Sequence, residues 1–162
     1  MKTILVPYDF SKEADYAFEF ATEMAKRTKN KLELLHVIEL PSPQSFSTIG
    51  EVGSFSSESN QIFMIELIEK RKKQMAALEE EFKDSGFKFE TKMVFGNPFA
   101  GISKEIVDAK ADIVIMGSKG SSGMEEVLIG SNTEKVVRHA SCPVITIKGP
   151  ISADSIRKVI FA

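Results

Sequence analysis

Ile113-Val114-Ile115-Met116-Gly117-Ser118-Lys119-Gly120 is the stretch on which the fold turns. Four apolar residues in unbroken succession, three of them β-branched, run straight into glycine. That is the signature of a strand buried on both faces. Such a strand belongs to a parallel sheet covered by helices, and the rest of the chain supplies the matching alternation. Upstream, Ile4-Leu5-Val6 is a short run closed by Pro7. Ala14, Ala17, Phe18, Ala21 and Ala25 follow at spacings of three and four, one face of a helix that Ser11 can cap. Residues 32–38 read as the second strand. Met64, Ile68, Met75, Leu78 and Phe82 form the stripe of a second helix, with Gly86 as its stop. Residues 87–94 alternate apolar and charged, as an edge strand does. Asn97-Pro98 opens a third helix whose buried side is Phe99, Ile102, Ile106 and Val107. Beyond the glycines lie a helix over 131–139 and a last strand over 143–147.

Composition bounds the function classes. The chain has 162 residues, 21 Lys+Arg and 23 Asp+Glu, a formal net charge of -2, and 43% hydrophobic residues. That is one globular domain. The charge balance argues against a general nucleic-acid binder, which carries a basic excess. A lone Cys142 excludes an internal disulfide and fits a reducing compartment. No apolar run reaches the roughly 18 residues that span a bilayer, and Tyr8-Asp9 arrives too early for a signal-peptide core. The expectation is a soluble, cytoplasmic protein with no membrane partner.

Two segments depart from the alternation. Residues 41–60 are serine-rich with two prolines and two glycines, a mobile surface loop in preference to a ligand lid. After Gly149-Pro150, Ile156-Arg157-Lys158-Val159-Ile160-Phe161-Ala162 resembles Lys2-Thr3-Ile4-Leu5-Val6. It reads either as the start of a second repeat or as a terminal strand of the same domain, so the domain is drawn over 1–149 and the remainder as linker and strand.

In a parallel sheet, ligands bind beyond the carboxyl ends of the strands, where the strand order reverses. Pro7-Tyr8-Asp9-Phe10, Ile38-Glu39-Leu40 and everything after Met116 should therefore face the site. Nine residues separate Gly120 from Gly130, and Ser131 comes next. Glycines there let the backbone reach positive φ and let a ligand approach, while successive N–H groups make an anion-binding concavity. Ser131-Asn132-Thr133-Glu134 fits a capping box, so a helix should start there and present its free N–H groups to a phosphate. Hydrogen bonds to charged groups contribute about 1.5–3 kcal/mol each, so a few of them approach the roughly 8 kcal/mol of micromolar binding. Ordering costs then require base contacts as well. Gly-x-x-x-x-Gly-Lys-Ser/Thr and Gly-x-Gly-x-x-Gly after a strand are both absent.

Gly117-x-x-Gly120, nine residues, then Gly130-Ser131 resembles the ATP-binding signature of the universal stress protein family. Pro7-Tyr8-Asp9-Phe10-Ser11, His36-Val37, Ala111-Asp112-Ile113-Val114-Ile115-Met116 and Val136-Val137-Arg138-His139-Ala140-Ser141-Cys142-Pro143-Val144 are similar to it as well, over about residues 1–148. The resemblance implies an α/β fold with a five-stranded parallel sheet in order 3-2-1-4-5, Rossmann-like, with helices on both faces. It implies a homodimer, or a tandem pseudo-dimer, joined through the last strand, and ATP, with Mg, as the cofactor. By position, Asp9 would contact the adenosine, the Val37 backbone would take the adenine, and Pro7 and Met116 would line base and ribose, with Gly117 near the ribose. Gly120, Gly130, Ser131 and Asn132 would hold the phosphates, helped by Ser118 and Thr133. Asn132 departs from the family, where an apolar residue is common, and Ser121-Ser122-Gly123 makes the intervening loop small.

The remaining candidates read as structural. His36 and His139 lack the close spacing of a zinc site, and Cys142 has no histidine or acid nearby to activate it. Glu79-Glu80-Glu81 and Lys70-Arg71-Lys72-Lys73 read as solvated helix faces. No residue set resembles a hydrolytic triad, so no catalytic residue is assigned. The expectation is a nucleotide-dependent regulatory switch in stress response, against two rivals: an interaction module that binds no nucleotide, and a slow ATPase.

Overall fold

The computed structural model describes residues 1–39, 57–119 and 129–153, with only the backbone given for 57–61. The elements run β1 (Thr3–Pro7), α1 (Lys12–Thr28), β2 (Lys31–Ile38), α2 (Ser57–Phe82), β3 (Phe89–Phe95), α3 (Pro98–Asp108), β4 (Ile113–Gly117), α4 (Ser131–His139) and β5 (Val144–Ile147). The strands form one sheet in the order β3-β2-β1-β4-β5, every pairing parallel. That is the expected topology, and the order reverses between β1 and β4.

Local chemistry explains the boundaries. Ser11 caps α1, its hydroxyl accepting from the Ala14 N–H at 3.2 Å. Asn97 does the same for α3 from Ala100 at 3.0 Å, with Pro98 at the first helical position. Helix α2 stops at Phe82, four residues before Gly86, as the Ser85 N–H and hydroxyl both turn back to the Phe82 carbonyl. Gly86 (φ +79) then serves the turn that follows.

The sheet separates two cores. On one face α1 and α2 bury Ile4, Val6, Phe18, Leu32, Leu34, Met75 and Ile115, with Phe82 and Phe89 packed alongside. On the other, α3 and α4 cover Leu5, Leu35, Ile102, Ile106, Val114, Met116 and Val136. One expected core residue is misplaced: Val107 is 68% exposed, whereas Glu105 is buried. A residue one step beyond Ile106 is turned about 100° away from it. Glu105 instead faces the sheet, where Lys92 Nζ meets its carboxylate at 2.6 Å.

Helix α2 outruns the sheet. Its 26 residues span about 39 Å, against about 26 Å for the eight residues of β2. The excess lies toward its start, and Ile62, Phe63 and Ile65 are exposed there. After β5 the chain crosses to α1, where Ser152 Oγ and the Ala153 N–H both donate to Glu23 at 2.7 Å and Ala153 is buried. The repeat-like stretch 156–162 lies outside the described residues, as does 41–56 of the serine-rich segment. Among the described residues no helix is long and apolar enough to cross a membrane.

Candidate functional site

The carboxyl ends of β1, β2 and β4 open onto a cavity of about 380 Å³. This is within the range of small-molecule sites. Pro7, Tyr8 and Asp9 line it from β1, and residues from Leu35 to Glu39 from β2. Met116, Gly117 and Lys119 follow β4, and Gly130, Ser131, Asn132 and Thr133 open α4. Of the sequence-derived site residues, Pro7, Asp9, Val37, Met116, Gly117, Gly130, Ser131, Asn132 and Thr133 thus come together on one wall system. Gly120 lies outside the described residues, and Ser118 is not on the wall.

Register decides what Val37 offers the cavity. In β2 the odd-numbered backbone groups face β1 and the even-numbered ones face β3. Leu35 accepts from the Tyr8 N–H at 2.8 Å, whereas Ile38 accepts from Gly96 at 3.0 Å. The β1 ladder ends at Pro7 opposite Leu35. Val37 therefore turns an N–H and a C=O toward β1 where no β1 residue remains opposite, a donor and acceptor pair at the cavity edge.

The start of α4 differs from the expected capping box. Its N-cap is Gly130 with φ -69, ψ 147 and no side-chain cap bond. Glu134 pairs with Arg138 at 2.8 Å. The helix begins at Ser131 because the chain is latched from below. The Gly130 N–H donates to the Ser118 carbonyl at 2.8 Å, the Ser118 N–H to Ile147 at 2.8 Å, and the Thr133 hydroxyl to the Gly117 carbonyl at 3.0 Å. The side chain of Ser118 is buried under this latch, its Oγ without a hydrogen-bond partner among the described residues.

These bonds redistribute the donors. Gly130 and the Thr133 hydroxyl are already committed, while the N–H groups of Ser131, Asn132 and Thr133, the first turn of α4, have no partner within the helix. The expected use of positive φ is also absent at the two described glycines of the motif. Gly130 is extended, and Gly117 is glycine because α1 passes so close. A Cβ there would lie 2.9 Å from the Glu13 carbonyl carbon and 3.0 Å from the Ala14 nitrogen.

The opposite wall is aromatic and charged. Asp9 accepts from the Ser11 N–H at 3.0 Å, fixing the turn into α1. The Tyr8 hydroxyl donates to Asp15 at 2.5 Å, and burial raises its pKa. His36 is buried, with Nδ1 2.7 Å from the Tyr8 carbonyl. A carbonyl only accepts, so Nδ1 carries the proton and Nε2 keeps its lone pair. Burial pushes the His36 pKa down, and the nearby Arg71 guanidinium adds to the shift.

Arg71 itself lines the cavity, with its Cζ 4.1 Å above the Phe10 ring. Arg71 thus departs from the solvated face expected of the basic run Lys70-Arg71-Lys72-Lys73. The missed signal is spacing: 64, 68, 71, 75, 78 and 82 alternate by four and three, so Arg71 sits within the apolar stripe. Among the described residues no three His, Cys, Asp or Glu gather to hold a metal.

The comparisons agree with this architecture. The Universal stress protein family model matches residues 1–148. Universal stress protein MJ0577 of Methanocaldococcus jannaschii is 33% identical over 153 residues, covering 91% of this chain and 94% of that protein. A solved structure of hypothetical protein MJ0577 superposes with a TM-score of 0.70 at 32% identity, covering 93% of this chain and 98% of that one. A universal stress protein family protein from Arabidopsis thaliana with AMP bound shares the fold, at a TM-score of 0.57 and 21% identity, over 95% of this chain and 94% of that one. The strand order, the glycines around the β4 exit and a family match over nearly the whole chain lead to one conclusion: the chain belongs to the universal stress protein family.

Proposed function

We propose that this protein binds ATP in the cavity at the β1–β4 switch point and acts as a nucleotide-dependent regulator of the stress response rather than as a dedicated enzyme. One observation carries the reading. The N–H groups of Ser131, Asn132 and Thr133, which have no partner within α4, and the backbone edge of Val37 beyond the β1 ladder border the same cavity, with Asp9 also on its wall. The helix start suits an anionic phosphate chain, through three donors and the positive end of the α4 dipole. The Val37 edge, one donor beside one acceptor, suits the amine and ring nitrogen of adenine. Pro7 and Met116 would flank base and ribose, and Gly117 the ribose, with Gly120 beside the phosphates. The sizes agree, since the cavity suits one small ligand. Relatives of the same fold are described in complexes with AMP and with cAMP, which supports an adenine compound as the occupant.

Mg²⁺ fits as an ion carried by the phosphates, because it commonly keeps water and few protein ligands. Phosphoryl transfer would need a group positioned to orient an attacking water, and none is assigned on the cavity wall. The regulatory output follows from position: phosphates seated on the α4 start would change the surface offered to a partner at the β4 exit. A second copy adding along the outer edge of β5 is the assembly this reading carries, with mass by light scattering as its check. A monomer at micromolar concentration would count against that assembly.

The deciding experiment is a census of nucleotide released on denaturing the purified protein, followed by titration and a turnover assay. ATP in stoichiometric amount, or binding at micromolar affinity with turnover near background, is the expected result. Neither co-purified nucleotide nor binding would make the domain an interaction module, and sustained turnover would make it an ATPase.

A further inference from the structure

Arg71 occupies a position that the helix pattern reserves for an apolar side chain, between Ile68 and Met75 on the core stripe of α2. A guanidinium placed there must settle its charge without full hydration. It does so by lying over an aromatic ring, Cζ 4.1 Å from the Phe10 centroid, while Nη1 donates to Gln74 Oε1 at 3.0 Å. Arg71 forms part of the cavity wall and Phe10 does not.

Phe10 is firmly held. Its backbone is left-handed, φ 63, an unusual state for a bulky residue that persists only where the surroundings impose it. Its ring lies 4.7 Å from Tyr8 and 4.9 Å, edge-on, from His36. The guanidinium thus rests on a fixed support.

We propose that Arg71, backed by Phe10, is the platform on which the purine base of the ligand stacks. This rests on the nucleotide reading of the cavity and adds a binding residue to it. The chemistry favours a base over a second phosphate, because Asp9 and Glu39 line the same cavity and would repel an anion beside Arg71. A neutral π face meets no such penalty, and guanidinium planes stack on bases as they do on aromatic rings. A stacking platform reads flatness rather than edge pattern. Base identity is left to the Val37 edge, and Arg71 contributes similarly to adenine and guanine compounds.

The test is equilibrium titration of the whole chain with adenosine, ATP and inorganic tripolyphosphate. Arg71→Lys keeps the charge and loses the plane. Arg71→Met also loses the charge but suits the apolar stripe, so it folds even if the lysine variant does not. Both substitutions should weaken adenosine and ATP by the same factor, on the order of tenfold, and leave tripolyphosphate unchanged. Loss confined to ATP and tripolyphosphate, with adenosine untouched, would assign Arg71 to the phosphates and overturn the platform. Wild-type ATP binding that neither substitution alters refutes the platform alone. A wild-type chain that binds no adenosine compound refutes the nucleotide reading and the platform with it.

Discussion

The two flanks of the cavity are built on opposite plans. On the α4 side the donors are main-chain N–H groups, and the side chains nearby serve to hold the backbone: Thr133 ties α4 to Gly117, and Gly130 ties it to Ser118. On the α2 side the backbone is closed in its helix and the wall is made by Arg71, Leu67 and His36. The first plan needs small residues and close approach, so substitutions that add atoms should damage it. The second needs particular side chains, so substitutions that remove a shape should damage that one. Backbone donors depend on the course of the chain, whereas the second wall depends on the identity of side chains such as Arg71 over Phe10.

The largest expected effect is on binding at the α4 flank. Gly130→Val places a branched side chain where the phosphate chain would enter, on a backbone (φ -69, ψ 147) that valine adopts freely. Titration should show ATP binding abolished, while circular dichroism and melting temperature stay near wild type. Unchanged affinity would mean that the ligand does not approach α4.

Next is Gly117→Ala, whose added Cβ would press on Glu13 and Ala14 main-chain atoms at 2.9 and 3.0 Å. Overpacking against backbone costs about 2–3 kcal/mol, or a fall of about 8 °C in melting temperature. A melt identical to wild type would show that α1 yields more readily than its packing implies.

The smallest effect concerns the floor of the α3 and α4 face. Glu33 is buried, and its pKa is raised by burial, with the adjacent Glu105 carboxyl adding to the shift against the opposing Lys31. The stability linked to Glu33 is therefore fully present below its unfolded pKa and is lost as pH rises through the elevated folded value. Above that folded value the ionised group is a net burden. Glu33→Gln should raise the melting temperature by about 2 °C there, with Lys31 still paired to Glu90 at 2.7 Å. The gain should shrink as the pH falls through the folded pKa. A gain that grows on acidification would reverse the assignment.

Much of this was legible residue by residue. The run at 113–116 announced a buried strand, Ser11 and Asn97 announced helix starts, and Phe87 to Val94 announced an edge through its alternation. These signals are local, carried by propensity, capping and period. The failures share a cause. Val107 is expected inside but lies outside because adjacent helix positions differ by about 100°, and only the neighbours on β2 and β3 decide which face, here that of Glu105, turns inward. The capping box at Ser131 failed because a long-range bond from Gly130 to Ser118 set the helix start. Arg71 was hidden inside a basic run whose composition outweighed its spacing.

By itself, then, the sequence determined the order and kind of the elements and the glycine-bearing exit of β4, since each depends on interactions within a turn or two of chain, and the alternation of those elements pointed to a parallel sheet. The tertiary structure alone decided which donors remain free, why Gly117 must lack a side chain, and that Arg71 and Phe10 meet at the cavity. Those outcomes depend on which remote surfaces come within hydrogen-bonding or van der Waals distance, and that is settled only when helices from both faces close on the sheet.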